Sequence, residues 1–331
     1  MLVDKGRLTK IGDTLIEVTD LTKHFPVRKG FFSARLAGAV KAVDGVSFAI
    51  RAGQTFGLVG ESGCGKTTVC KLVLLLEQVT GGRIAFEGRD VRLMSRDEVR
   101  AYKRSVQAVF QDPYSSLNPR MRVGDILSEP LVVHRSAPRQ QRRDRVAELL
   151  ENVGLSPEAK DLYPHEFSGG QRQRIAVARS LALQPRLIVL DEPVSALDVS
   201  IRAQILNLLA DLQERFGLTY LMIAHDLAVV EHVSDIMAVM YLGKIVEMAP
   251  STELTSHPMH PYTKALLGAV PRPDPDVTLG NEILSGEVPS ALDPPSGCRF
   301  HPRCKEATPL CAEREPALRE VSSGHLVACG A

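Results

Sequence analysis

The chain alternates short apolar runs with segments whose apolar residues recur at helical spacing. Runs at residues 15–18 (LIEV), 46–50 (VSFAI), 55–59 (TFGLV), 81–88 (GGRIAFEG), 106–110 (VQAVF), 187–190 (LIVL) and 218–224 (LTYLMIA) are bounded by glycines, prolines or charges. Runs of that length and setting predict strands, and the uninterrupted ones predict strands covered on both faces. Residues 236–240 and 244–248 flank Tyr241-Leu242-Gly243 and predict a hairpin that closes the sheet. Helical periodicity appears at 66–76, at 142–153 (Val146, Leu149, Leu150, Val153), at 171–183 (Ile175, Val177, Ala178, Leu181) and at 201–216. The pattern predicts an α/β core with a mainly helical stretch inserted at about 112–184.

Three segments fall outside that pattern. Residues 1–12 are polar and are expected to be loosely held. Residues 26–40 (PVRKGFFSARLAGAV) carry turn residues and basic side chains without periodicity and read as an inserted loop. Residues 250–331 carry 12 of the 21 prolines and little apolar pattern after Leu267, an appendage unable to bury much core alone.

Composition narrows the partners. Forty basic and 39 acidic residues leave a formal charge of +1, so no bulk attraction to nucleic acid is expected. The absence of Trp and an aromatic content of 5% also disfavour a base-stacking surface. The basic run RSAPRQQRRDR could be a nucleic-acid patch, but acidic residues follow at once, which favours a solvated helix face. Apolar runs such as 72–76 are far short of a membrane span, and MLVDKGRLTK lacks the apolar centre of a signal peptide. A soluble, cytoplasmic chain is expected.

The chemistry begins at Gly60-Glu61-Ser62-Gly63-Cys64-Gly65-Lys66-Thr67-Thr68, between a buried strand and a helix. That is the phosphate-binding pattern G-x-x-x-x-G-K-[ST]. Its glycines let consecutive N–H groups turn toward an anion, and the helix N-terminus adds about half a positive charge. Lys66 supplies a full charge for β- and γ-phosphates, and Thr67 a hydroxyl for Mg²⁺. Further along, Ser168-Gly169-Gly170-Gln171 precede a second helix, again an anion-seeking element. The strand LIVL delivers Asp191 and Glu192 to its C-terminal end, where doubly wound sheets bind ligands. Asp191 suits Mg²⁺ and Glu192 the activation of water. Gln111 ends a strand and opens the loop QDPYSSLNPR; His225 ends another and is either structural or in reach of a γ-phosphate. Phe25, near the first strand, is either core or a platform for adenine.

The ordered set GESGCGKTT, Gln111, FSGGQ, LIVLDEP, SALD and His225 resembles the ATP-binding subunits of ABC transporters over roughly residues 14–248. QDPYSSLNPR, HPYTKALL with His260-Pro261-Tyr262, and the cysteine-bearing tail are similar to the oligopeptide/dipeptide/nickel importer branch. The insertion at 26–40 resembles its F-type subunit, which works beside a D-type partner ATPase. The resemblance implies a P-loop NTPase with a RecA-like core, an antiparallel β subdomain, an inserted helical subdomain and a C-terminal appendage. It places the ATP-binding domain at 13–250 and the appendage at 251–331.

By the same resemblance, Phe25 stacks on adenine, residues 60–68 cradle the phosphates, and Gln111 senses Mg²⁺ and the attacking water. Ser168, Gly169, Gly170 and Gln171 contact ATP held by the opposite subunit. Asp191 lies on the Mg²⁺ side, Glu192 is the catalytic base, Asp198 belongs to an inter-subunit loop, and His225 is the switch histidine. The implied function is ATP hydrolysis that powers import of dipeptides or oligopeptides, or of nickel. The implied partners are a second ATPase subunit, two membrane permease subunits and an extracytoplasmic binding protein. The chain would then sit peripherally on the cytoplasmic face of the inner membrane. A non-transport ABC ATPase is disfavoured: about 100 residues separate Lys66 from Ser168 with no sustained heptads, and the chain carries one cassette.

Six cysteines complete the inventory, and Cys298, Cys304, Cys311 and Cys329 crowd the tail with spacing C-x5-C-x6-C-x17-C. Four thiols in a Pro-rich segment with few apolar residues point to a metal staple. Zinc usually takes C-x₂₋₄-C pairs, which are absent, although His301 and His325 keep a mixed site open. Tails of the resembled importers can carry a cluster on such cysteines, which implies a [4Fe–4S] centre.

Overall fold

The structure, a computed structural model, describes residues 13–29, 35–112, 116–136, 138–269 and 286–330. The expectations for residues 1–12, for the middle of the 26–40 insertion and for Pro113 to Ser115 of the Gln111 loop lie outside the described residues. Contacts divide the chain into two units.

One unit holds residues 16–49, 55–85 and the chain from Met222 onward. Strands β1 (Thr14–Lys29), β2 (Arg35–Arg51) and β4 (Gly81–Phe86) lie in it almost entirely, hydrogen-bonded in the order β2-β1-β4. The insertion read as a loop at 26–40 is therefore largely strand, since β1 runs to Lys29 and β2 starts at Arg35 as its ladder neighbour.

A second sheet in this unit runs β11-β12-β10-β9-β3, from β3 (Thr55–Val59), β9 (Ile236–Tyr241), β10 (Lys244–Pro250), β11 (Arg319–Ser322) and β12 (His325–Val327). Every residue of β3 is buried, as its unbroken apolar run requires. It pairs in parallel with β9, Phe56 opposite Ile236 and Val59 opposite Val239. Helix α7 (Leu227–Val233) packs so tightly on β3 that a Cβ at Gly57 would come within 2.2 Å of a Val230 methyl. The β9–β10 hairpin does not close the sheet: β12 pairs antiparallel with β10, Glu247 opposite Val327, and β11 follows.

Helix α1 (Lys66–Val73) is shorter than the 66–76 pattern, because Leu75 adopts a left-handed φ of 54° that helical backbone forbids. The short helices α8 (Ser251–Ser256), α9 (Pro261–Gly268) and α10 (Pro309–Glu313) belong to the C-terminal region.

The other unit holds residues 50–54 and 86–221, with the described chain up to Leu15. Its strands are β5 (Arg89–Asp90), β6 (Val106–Val109) and β7 (Leu187–Asp191). Strand β8 (Thr219–Ala224) begins here and ends in the first unit. Strands β6 and β7 are parallel, Val106 opposite Leu187 and Val109 opposite Leu190. Helix α2 (Arg96–Ser105), absent from the periodic pattern, is started by a capping box: Ser95 Oγ accepts from Glu98 N and Glu98 from Ser95 N.

The helical layer is α3 (Val123–Val133), α4 (Arg139–Asn152) and α5 (Gly169–Leu181). Val146, Leu149 and Leu150 of α4 are buried, as are Ile175, Val177, Ala178 and Leu181 of α5. Each Val, Leu or Ile among them contributes about 1.5–3 kcal/mol of burial. Helix α6 (Val199–Phe216) stops at Gly217, which takes a left-handed φ of 62°.

Candidate active site

The phosphate loop leaves β3 after Val59 and enters α1 at Lys66. Gly65 is the cap residue at φ 114°, and a Cβ there would lie 2.1 Å from Ala42 O, so only glycine fits. No side chain caps α1, which leaves its first N–H groups for an anion. Lys66 is 5% exposed, and its Nζ donates to the carbonyls of Gly60 at 2.7 Å and Glu61 at 2.9 Å. An ammonium so buried, held by two carbonyls and a thiol sulfur, strongly favours an arriving phosphate. Cys64 lies 3.6 Å from Lys66 Nζ, but burial pushes its thiol pKa up, so it serves as an uncharged wall. Ser62, Gly63 and Thr67 are exposed and Thr68 is half-buried.

Tyr262, which the sequence placed only in the HPYTKALL resemblance, and Arg303, which it did not single out, hold this loop. Glu61 N donates to Tyr262 Oη at 2.9 Å, and Arg303 grips the Glu61 carboxylate at 2.7 and 3.1 Å. In the same unit Phe25 is half-buried on β1 with the Lys23 ammonium 4.7 Å from its ring centroid. His225 is exposed directly after β8, and Asp226 beside it caps α7 by accepting from Ala228 N at 3.1 Å.

In the other unit, β7 ends on Asp191, buried, with Glu192 next at a left-handed φ of 49°. Gln111, two residues past β6, donates from Nε2 to Glu192 Oε2 at 2.8 Å. The FSGGQ segment is a helix start: α5 begins at Gly169, and Ser168 and Gln171 form a capping box in which Ser168 N donates to Gln171 Oε1 at 3.0 Å. A Cβ on Gly170 would sit 2.5 Å from an Ile201 methyl, so this glycine is required for α5 to meet α6. Asp198 is the N-cap residue of α6, and its side chain makes no cap hydrogen bond.

The tail departs from expectation. Cys298, Cys304, Cys311 and Cys329 border one cavity of about 290 Å³ together with His260 and His301. Yet among the described residues no three His, Cys, Asp or Glu groups are placed to hold a metal ion. The [4Fe–4S] assignment is thereby overturned, and the premise behind it fails as well. The tail takes its core from the body of its unit: Phe300 packs on Tyr241 and Tyr262, each at 5.3 Å, and β12 extends the sheet. Arg299, buried, pairs with Asp44 and donates to Leu242 O. A segment pinned in this way needs no metal staple.

The ABC transporter family matches residues 43–195, and the oligopeptide/dipeptide transporter C-terminal region matches residues 246–311. The oligopeptide transport ATP-binding protein AppF of Bacillus subtilis is 50% identical over 320 residues, covering 96% of this chain and 97% of its own. The dipeptide transport ATP-binding protein DppF of Escherichia coli is 49% identical over 315 residues, covering 95% and 93%. Among solved structures, CbiO1 of Clostridium perfringens, part of the ABC transporter complex CbiONQ, has a TM-score of 0.63 at 26% identity, covering 74% of this chain and 92% of that one. The ATP-binding cassette MJ0796 bound to ADP and Pi has a TM-score of 0.62 at 26% identity, covering 72% and 99%. The fold is thus that of a P-loop ATPase cassette. Identity of one half across nearly the entire chain is family membership: the protein belongs to the ABC transporter ATP-binding proteins that carry the oligopeptide/dipeptide C-terminal region.

Proposed function

We propose that this chain hydrolyses ATP to drive uptake of dipeptides or oligopeptides, seated on the cytoplasmic face of the inner membrane through two permease subunits. A D-type ATPase subunit and an extracytoplasmic binding protein complete the assembly. The observation that carries this reading is the presence, in one chain, of an ABC transporter match at 43–195 and a peptide-transporter C-terminal match at 246–311.

Within the chain the roles follow from chemistry. The N–H groups of the loop at 60–68, other than that of Glu61, and the Lys66 ammonium bind the phosphates, and Phe25 receives the adenine. Thr67, Asp191 and Gln111 carry the oxygens that would hold Mg²⁺, which would supply charge neutralisation on the phosphate oxygens. Glu192, aimed by Gln111, takes the proton of the attacking water. His225 steadies the γ-phosphate. Ser168, Gly169, Gly170 and Gln171 offer a helix N-terminus to the nucleotide of the second ATPase subunit, to which Asp198 also turns.

Uptake of labelled dipeptides and of Ni²⁺ by cells lacking the chain tests the cargo. Dipeptide uptake should disappear and return with the wild-type gene, but not with Glu192→Gln. Loss of Ni²⁺ uptake alone would overturn the peptide assignment.

A further inference from the structure

Glu61 is the second residue of the phosphate loop, and it is held at its N–H, its carbonyl and both carboxylate oxygens. Tyr262 Oη accepts from its N–H at 2.9 Å, and Lys66 Nζ donates to its carbonyl at 2.9 Å. Arg303 Nη1 and Nη2 donate to Oε2 and Oε1 at 2.7 and 3.1 Å. The geometry is bidentate, the arrangement in which guanidinium and carboxylate fix each other's orientation best. The Arg303 side chain is 4% exposed, whereas that of Glu61 is 26% exposed. Arg303 is itself held, with Tyr241 Oη at 3.5 Å and its guanidinium 5.8 Å from the Tyr241 ring centroid. Tyr262 is fully buried, its ring 4.7 Å from that of Tyr241 and 5.3 Å from that of Phe300. Both grips on Glu61 therefore come from rigid, packed side chains of the C-terminal region.

A phosphate loop works by turning successive N–H groups inward on an anion. The Glu61 N–H is turned the other way, onto Tyr262, so it anchors the start of the loop rather than joining the nest. Lys66 meanwhile rests on the carbonyls of Gly60 and Glu61, the same short stretch that Arg303 and Tyr262 grip from behind. The position of Glu61 thus sets where the Lys66 ammonium waits and how the following N–H groups open.

We propose that Arg303 and Tyr262 are positioning residues for the phosphate loop, so that the C-terminal region tunes the grip of this chain on the β- and γ-phosphates of its nucleotide. The proposal rests on the reading of residues 60–68 as an ATP site. It differs from a role in merely fastening the tail, because a fastener would leave phosphate recognition unchanged.

Titration calorimetry of the full chain with ATP, ADP and AMP in Mg²⁺ buffer separates the two. Loss of a charge-assisted hydrogen bond in Arg303→Met should weaken ATP and ADP by about tenfold. AMP, which lacks the phosphates that meet Lys66, should be unaffected. Glu61→Gln should do the same, and the double variant should be no worse than either single one, since the pair acts as a unit. Tyr262→Phe keeps the ring packing and removes only the acceptor for Glu61 N–H. It should weaken ATP while the chain remains folded, and it carries the test if Arg303→Met does not fold. Wild-type affinity for ATP in Tyr262→Phe, equal weakening of ADP and AMP, or multiplying effects in the double variant would each overturn the proposal. Failure of the wild-type chain to bind ATP would instead overturn the ATP site on which the proposal rests.

Discussion

Gln111 donates from Nε2 to Oε2 of Glu192 at 2.8 Å, tying the loop after β6 to the residue after β7. The two strands are parallel neighbours, so their C-terminal ends lie side by side and the hydrogen bond closes across them. Glu192 pays for its orientation with a left-handed φ of 49°, a conformation that costs a non-glycine residue about 1–2 kcal/mol. Strain of this kind, held by a neighbour, fixes where the Glu192 carboxylate sits, which the proposed base role requires.

Glu192→Gln keeps the shape of the side chain and removes its capacity to take a proton. Turnover in the assembled transporter should fall by about 10²- to 10⁴-fold. ATP binding should remain near wild type, because residues 60–68 are untouched. Steady-state ATPase assays and nucleotide titration check the two halves; an unchanged rate would remove Glu192 from the base role.

Ser168→Arg removes the capping hydrogen bond to Gln171 N and places a cation at the positive end of α5. If the FSGGQ helix serves the nucleotide of the second ATPase subunit, the defect should appear in that subunit's site. Assembled transporters with one or the other phosphate-loop lysine replaced would show which site has failed. Loss confined to this chain's own site would contradict action across the subunits.

The phosphate-loop turn, the FSGGQ helix start and the β7 strand end were legible because each is a contiguous string whose local sequence sets its backbone. The S-x-x-E box at Ser95 and Glu98 was equally contiguous, and reading it would have found α2. The C-terminal strands were not legible for a different reason. β11 is exposed at every residue and β12 has three residues, so neither carries a periodic signal; β12 exists because β10 offers it an edge. The Arg303–Glu61 pair spans 242 residues of sequence, and no pattern announces it. The metal expectation failed through the same blindness: it counted only the tail's own apolar residues, whereas Phe300 borrows Tyr241 and Tyr262 as its core.

Glu247 shows what fastens the tail instead. It is fully buried and accepts from Met259 N at 2.7 Å, His260 N at 3.0 Å and His325 Nε2 at 2.7 Å. One carboxylate thereby joins β10, the start of α9 and β12. Glu247→Ala would leave two buried N–H groups and a buried imidazole without their acceptor, at a cost of about 3–5 kcal/mol. Glu247→Gln keeps an acceptor oxygen and should lose less. Denaturant midpoints at constant m-value give the comparison; equal stability of Glu247→Ala and wild type would show that the tail is held elsewhere.

His260 should make this fastening sensitive to acid. It is 1% exposed, and its Nδ1 accepts from Tyr262 N at 3.1 Å, which requires a neutral ring with the proton on Nε2. Burial, reinforced by the Lys264 charge and opposed by a hydrogen bond with the Ala328 backbone, lowers its pKa from 6.5 to about 4. The folded pKa lies below the unfolded one, so between these values the unfolded chain holds more protons than the folded chain. Stability therefore rises with pH across that window and is lost as pH falls from about 6.5 toward 4, by up to about 3 kcal/mol. His260→Asn retains a capping side chain for α9 but cannot titrate. Denaturant midpoints for both proteins at about pH 7.5 and about pH 5 isolate the histidine, because carboxylates common to the two cancel in the difference. Wild type should lose more stability on acidification than the variant; parallel losses would assign the acid sensitivity to other groups.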